Sequence, residues 1–153
     1  MWNWKTVYED DTCALYCDLD NIIDTGGDEE GCYAGAECYM PLPERCGIWT
    51  SLFLKKKAEK KRYVAARKKG GFSIAGYKDY HYSLCLVEFD RGVMKYRVIP
   101  AADYDEKDRQ IGDSKLLDVV DPPLIDGVVV DWSSIRSKKT HTMIKTLYKL
   151  FSA

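Results

Sequence analysis

The chain has 153 residues, of which 46% are hydrophobic and 31% charged, so it is expected to bury an ordinary core and not to stay disordered. This length suits one domain, and no apolar run approaches the roughly 20 residues of a membrane span. The net charge of −1 hides strong segregation, because residues 1–46 have a net charge of −9 and residues 55–69 a net charge of +8. Such asymmetry bears on binding partners and not on the fold.

The first third of the chain begins with strand-like segments and continues into an acidic loop. Alternating Trp4, Thr6 and Tyr8 predict a first strand over 2–8, and residues 12–18 predict a second. Residues 19–47 are acidic and interrupted by glycine and proline, which predicts a long loop. The N-terminus has no signal-peptide pattern, so the chain is expected to be either cytoplasmic or a mature chain whose leader was removed.

The six cysteines need an explanation, since five of them lie within residues 13–46. Clustered cysteines indicate metal binding in a reducing compartment and disulfides in an oxidising one. The absence of a Cys-x-x-Cys pair and of a nearby histidine argues against structural zinc. Disulfides are therefore predicted, with reduced thiols as the alternative, and the candidate cysteines are Cys13, Cys17, Cys32, Cys38, Cys46 and Cys85. Cys13 and Cys17 are not expected to pair with each other, because they lie ~13 Å apart along a strand.

The acidic segment 18–29 partly matches the spacing of a calcium-binding loop. Ile23, however, occupies the position where the sharp turn of such a loop requires glycine, and no helix leads into the segment. An acidic solvated loop is the better interpretation. No metal and no cofactor are therefore predicted.

A strand predicted over 48–54 is followed by the most basic segment of the chain, residues 55–69. Helix propensity is high there and Gly70-Gly71 would end a helix, although a long charged hairpin fits the segment equally well. Its basic side chains are expected to project into water. They form the candidate binding surface, which consists of Lys55, Lys56, Lys57, Lys60, Lys61, Arg62, Arg67, Lys68 and Lys69.

This basic surface has more than one interpretation. The simplest is a solvated face that is compensated by the acidic loop at Asp24–Glu37. A stretch this basic can also bind phosphate backbones or anionic lipid. Nucleic acid is disfavoured as the ligand, because Tyr63 is the only aromatic residue within the segment that can stack on a base.

Residues 82–100 predict a central hairpin with a turn at Asp90-Arg91-Gly92, where Gly92 would supply the positive φ of a short loop. The first strand is apolar on both faces, as expected for a strand covered on both sides. The second strand alternates apolar and basic residues, so one of its faces is expected to meet water. Cys85 in the first strand is either a disulfide partner or a small apolar filler.

The last third contains one strong helix signal. Short strands are predicted at 110–112 and 128–130, and Asp121-Pro122-Pro123 breaks any helix between them. Apolar residues at three- and four-residue spacing predict an amphipathic helix over Ser137–Phe151. The helix face expected to cover the sheet consists of Met143, Leu147, Leu150 and Phe151, and the covered sheet residues are Leu84, Leu86, Tyr96 and Trp49.

Several short motifs follow one another in a distinctive order. They are Tyr16-x-Asp18-x3-Ile22, Ile48-Trp49 at the start of a strand, Cys85 before a basic-aromatic hairpin, and Trp132-x-x-Ile135 before the C-terminal helix. In this order and spacing the chain resembles the surface-adhesin protein E family from about Trp4 to Phe151. The resemblance implies a small envelope protein with an antiparallel sheet, a C-terminal helix and no catalytic site, and the named member of that family binds host extracellular-matrix and serum proteins.

The chain departs from this family in three places. Ser137 and Lys139 replace the usual proline and serine after Trp-x-x-Ile. The C-terminal cysteine that would be the partner of Cys85 is missing. The cysteine-rich acidic loop and the basic run look like additions, so the fold is expected to transfer better than any particular ligand.

No catalytic residue is predicted, because neither His81 nor His141 has a serine or cysteine partner by motif and no phosphate-binding glycine loop is present. The expected fold class is α+β, with one domain over 1–153 in which an antiparallel β-sheet is packed by a C-terminal amphipathic α-helix. The cysteine-rich acidic loop falls at about 19–47 and the basic segment at 55–69. The expected function is that of a non-catalytic envelope or cell-surface interaction module that binds a protein ligand. The alternative is a cytoplasmic binding protein that uses the basic segment on an acidic partner or nucleic acid.

Overall fold

The computed structural model describes residues 2–26, 32–33, 44–115, 132–138, 140 and 142–152, without the side chains of residues 32, 33, 151 and 152. Within these residues, eight strands form one antiparallel sheet that curls into a half-barrel. The strands are β1 (Lys5–Glu9), β2 (Cys13–Asp24), β3 (Cys32–Tyr33), β4 (Arg45–Leu54), β5 (Tyr80–Asp90), β6 (Lys95–Asp105), β7 (Gln110–Asp113) and β8 (Ser133–Ser134). The helices are α1 (Lys57–Lys69), α2 (Thr142–Ser152) and a 3-10 turn at Tyr77–Asp79.

The strand order is β1-β2-β4-β5-β6-β7, with β3 beside β2 and β8 beside β6. The predicted central hairpin is confirmed as β5 and β6, which pair antiparallel from Asp90–Lys95 to Tyr80–Asp105 with two shifts of register, one between Leu84 and Cys85 and one between Tyr80 and Tyr82. Its turn differs from the prediction, because the positive φ of 55° belongs to Met94 and not to Gly92. The Met94 side chain is tied to α2, since the Tyr148 hydroxyl lies 3.2 Å from its sulfur.

The two faces of the sheet follow from the alternation of side chains along each strand. Val87 and Phe89 point to the inner face, where they pack with Tyr96 and with α2 in one buried cluster. Leu86 and Trp49 lie opposite each other on neighbouring strands and point to the outer face. Of the four sheet residues that α2 was predicted to cover, Tyr96 is confirmed. The prediction is wrong for Leu84, Leu86 and Trp49, because their side chains lie on the outer face of the sheet and α2 packs on the inner face.

Helix α2 packs on the sheet with a slightly different face from the one predicted. Met143, Ile144 and Leu147 are fully buried, whereas Leu150 is 44% exposed and does not belong to the packed face. The side chain of Phe151 lies outside the described residues. The C-terminal helix is confirmed, although it begins at Thr142 and not at Ser137.

The predicted strands at 12–18, 48–54 and 110–112 are confirmed with wider bounds. Strand β2 continues to Asp24 and β4 begins at Arg45, so the predicted loop over 19–47 is wrong at both of its ends. Residues 27–31 and 34–43 of that prediction lie outside the described residues. The predicted strand at 128–130 lies outside the described residues. The basic segment is a helix and not a hairpin.

Candidate binding surface on helix α1

Helix α1 follows β4 and ends at the two glycines that the sequence places there. Gly71 has a φ of +81°, a conformation that glycine adopts without strain. The backbone N–H of Gly70 donates to the carbonyl of Ala66 at 3.0 Å, which satisfies one of the last carbonyls of the helix. These two glycines therefore end the helix after Lys69.

A buried carboxylate on the sheet holds the inner face of α1. Asp103 in β6 accepts hydrogen bonds from the hydroxyls of Tyr63 at 2.5 Å, Tyr77 at 2.7 Å and Ser83 at 2.6 Å. Burial raises the pKa of the Asp103 carboxyl, and these hydroxyl donors partly oppose the shift. Because Tyr63 is itself fully buried, the helix is held in one rotation about its axis.

Arg67 belongs to this internal anchor and not to the exposed surface. Its side chain is only 4% exposed, and its guanidinium lies 3.5 Å from the Asp103 carboxylate. It also donates to the carbonyls of Ser73 and Asp113 and lies 4.3 Å from the centroid of the Tyr77 ring. The prediction that Arg67 projects into water is therefore wrong, because its position one turn beyond Tyr63 places it on the buried side of the helix.

The other eight predicted basic residues divide by their partners. The ammonium of Lys55 is 2.6 Å from Glu9, and the guanidinium of Arg62 is 3.3 Å from Glu59. The remaining six have no ion pair with any residue that the structure describes. They are Lys56, Lys57, Lys60, Lys61, Lys68 and Lys69.

Four of these six lysines line a single cavity beside α1, which we call the lysine cavity. Its volume is about 540 Å³. Its lining residues are Lys57, Lys60, Lys61, Val64, Ala65, Lys68, Tyr77, Lys78, Tyr80 and Glu106. The six lining residues from α1 recur at three- and four-residue spacing, so they share one face of the helix. The structure thus brings together part of the predicted surface and adds Lys78, which sequence reasoning missed because it lies outside the basic run.

The charges around the lysine cavity are strongly unbalanced. Among the residues that the structure describes, five lysines and one acid, Glu106, line it. Lys57 and Lys61 are neighbours on successive turns, where like charges destabilise a helix by about 0.2–0.5 kcal/mol per pair. Lys56 occupies the N-cap without a side-chain cap, so positive charge meets the positive end of the helix dipole. The lysines of the first two turns therefore disfavour the helix, whereas Lys68 lies in the last turn, where positive charge suits the helix dipole.

The cysteine prediction fails for the residues that the structure describes. Cys13, Cys17, Cys46 and Cys85 are free and buried thiols. They point into the core, where each is exposed by 3% or less and packs as a small apolar side chain. Burial raises the pKa of the Cys13, Cys17 and Cys46 thiols to about 11 and that of Cys85 to about 12. The side chain of Cys32 and the whole of Cys38 lie outside the described residues.

The remaining candidates for chemistry are packed against other side chains or lie outside the described residues. His81 in β5 contacts the ring of Phe53 edge to face, with centroids 4.9 Å apart, and His141 lies outside the described residues. Within the described ranges, no group of three or more His, Cys, Asp or Glu side chains could hold a metal ion. No helix in this part of the chain is long and apolar enough to cross a membrane.

The outer face of the sheet carries a second feature that the sequence did not reveal as a unit. Trp2 stacks on Trp4 with centroids 5.0 Å apart and meets Trp49 edge to face at 6.0 Å. Farther along the face, Phe53 stacks on Tyr82 at 4.9 Å. Because these rings pack on one another across strands, they stabilise the sheet itself.

Comparison with known proteins found no relative of this chain. No family model matches the chain, and no curated protein or solved structure matches it. Membership of the surface-adhesin protein E family therefore stays a prediction.

Proposed function

We propose that this chain is a non-catalytic binding module, folded as a single α+β domain, that binds an acidic protein ligand through the lysines of α1. The observation that supports this function best is the lysine cavity. There, four lysines of α1 without an ion pair among the described residues meet Lys78 across a concave surface. A concave site with convergent charged groups is a common form of binding site.

The energetics of α1 support a binding role for these lysines. Like charges on successive turns and lysines at the N-terminus of the helix both disfavour the helical state. Local conflicts of this kind are expected mainly at functional sites. Carboxylates of a ligand would relieve the repulsion, and several ion pairs formed together contribute more than one exposed pair, which is worth ~0–1 kcal/mol.

An acidic protein segment fits this surface better than nucleic acid does. Tyr63, the only aromatic residue of the basic segment, is fully buried, so its ring face is not available to stack on bases. Glu106 also stands at the cavity and would repel a phosphate backbone. A peptide chain can place its carboxylates beside the lysines and avoid this single acid.

The non-catalytic part of the proposal is supported by the state of the groups that could act as nucleophiles. The described thiols are buried and their pKa values are raised, so the reactive thiolate is disfavoured. The antiparallel sheet with a C-terminal helix agrees with the fold that the surface-adhesin resemblance implies. We retain an envelope or secreted location as part of that hypothesis, whereas the four free thiols favour the cytoplasmic alternative.

The test compares two labelled polyanions of equal charge, an oligoglutamate peptide and a single-stranded DNA. Binding of each to the full chain is measured by fluorescence anisotropy at about 10 mM and about 0.15 M NaCl, between which the Debye length falls from ~30 Å to ~8 Å. We expect the peptide to bind more tightly than the DNA and to weaken as salt is added. Tighter binding of the DNA would contradict the proposal and support the nucleic-acid alternative.

A further inference from the structure

The lysine cavity has an apolar floor below its charged rim. Val64 is half-buried and Ala65 is exposed on the α1 side. The rings of Tyr77 and Tyr80 stack with centroids 6.0 Å apart and form the opposite side. The lysine side chains add aliphatic stems to the walls, while their ammonium groups reach water. The site therefore offers carbon surface and positive charge together.

This floor is held in place by buried hydrogen bonds. The Tyr77 hydroxyl donates to Asp103 at 2.7 Å, and the Tyr80 hydroxyl lies 2.6 Å from the hydroxyl of Ser83. Because both rings are fixed from below, the cavity is formed before any ligand arrives. A preformed cavity spares the ligand part of the ordering cost of binding.

We infer that the lysine cavity takes one large apolar side chain of an acidic peptide segment, with carboxylates on either side of that residue. The inference rests on the proposed function and names the ligand's motif. An oligoglutamate would pair with the rim and leave the floor in contact with water. A purely apolar ligand would cover the floor and meet lysines without partners. The volume of about 540 Å³ lies within the ~300–1,000 Å³ of sites that enclose organic groups, so it accommodates an aromatic ring.

Two peptides of equal charge test the inference. One contains a single phenylalanine between runs of Asp and Glu, and the other has serine in place of the phenylalanine. Burial of one aromatic side chain corresponds to about 10- to 100-fold in affinity. We expect this difference between the two peptides when their dissociation constants for the full chain are measured at low salt.

A variant that fills the cavity separates the floor from the rim. Ala65→Leu adds bulk to the floor without a change in charge, at an exposed helix position that accepts leucine. It is expected to weaken the phenylalanine peptide more than the serine peptide, so that the ratio of their two dissociation constants falls towards one. The matched control is Ala58→Leu, which makes the same change at an exposed position of α1 that does not line the cavity. Both peptides should bind this control as they bind the wild type.

The outcomes distinguish the motif from the proposed function. Equal affinity of the two peptides, with both sensitive to salt, would overturn the apolar anchor and leave an acidic ligand on the rim. If neither peptide binds, the proposed function is overturned and the anchor with it. Displacement of the phenylalanine peptide by an equal concentration of octanoate would overturn the peptide motif and indicate a site for small carboxylates.

Discussion

Tyr63→Phe tests whether the buried carboxylate fixes helix α1. The hydroxyl of Tyr63 donates to Asp103 at 2.5 Å and accepts the backbone N–H of Lys115 at 3.0 Å. Phenylalanine keeps the ring, which packs against Tyr80 with centroids 5.1 Å apart. It removes these two hydrogen bonds and a longer one, which the hydroxyl accepts from the Arg67 guanidinium at 3.5 Å. A hydrogen bond to a charged group contributes about 1.5–3 kcal/mol, so the free energy of unfolding should fall by about that amount.

The assay is urea denaturation at neutral pH. The matched control is Tyr104→Phe, because the Tyr104 hydroxyl has no hydrogen-bond partner among the described residues and should cost under about 0.5 kcal/mol. The Tyr63 hydroxyl stabilises the ionised form of Asp103 and so opposes the rise in its pKa that burial causes. The cost of Tyr63→Phe should therefore shrink as the pH falls through that pKa. If Tyr63→Phe loses no more stability than the control at neutral pH, Asp103 does not anchor the helix.

Three further predictions concern the core and its titrating groups. Leu147→Ala should lower the free energy of unfolding by about 2–5 kcal/mol, whereas Leu150→Ala, at a 44% exposed position, should cost under about 0.5 kcal/mol in the same denaturation experiment. Burial raises the pKa of Glu88, but hydrogen bonds from Arg97 and other donors outweigh it and leave the pKa lowered. The stability that wild type gains over Glu88→Gln should thus be present at neutral pH and decline as the pH falls below about 4.5, in denaturation curves recorded across that range. The four described cysteines should react with a thiol reagent at about pH 8 only after unfolding, and fast reaction of the native protein would contradict their burial.

Where one pattern dominated the sequence, the fold was predictable. The β5–β6 hairpin follows from an apolar strand and an alternating strand around a short polar turn, and α2 follows from apolar residues at helical spacing. Both patterns are local, so no knowledge of distant contacts was needed. The wider bounds of β2 and β4 were not predictable, because pairing with neighbouring strands extends a strand through residues whose own preference is weak.

The face of the sheet under α2 was predicted incorrectly for a clear physical reason. Strand β5 is apolar at both parities, so Leu84 and Leu86 were as plausible a partner for the helix as Val87 and Phe89. Only the strand register and the curl of the sheet decide between them. Leu150 was misplaced for a related reason, since an apolar residue at helical spacing can still lie at the exposed margin of a helix.

The positive charge of the candidate site could be predicted from the sequence, but the cavity that its lysines line could not. The basic run was evident, yet nothing local distinguishes buried Arg67 from its exposed neighbours. Its partner Asp103 lies 40 residues beyond Tyr63, and such a contact is specified only by the fold. The fold also brings Lys78 to the lysine cavity, from the turn before β5 and outside the basic run. The cysteines mislead because clustering in sequence does not place thiols opposite one another in the core.

The central claim is that position around the lysine cavity, and not positive charge in general, determines binding of an acidic ligand. The direct measurement compares two triple variants with the same change in charge. One carries Lys57→Gln, Lys61→Gln and Lys68→Gln at the cavity. The control carries Lys95→Gln, Lys138→Gln and Lys149→Gln at exposed positions outside α1 that do not line the cavity. Loss of three ion pairs of ~0.2–1 kcal/mol each predicts that the cavity variant binds the acidic phenylalanine peptide about ten-fold more weakly than the control variant does. Equal losses in the two variants would contradict the account.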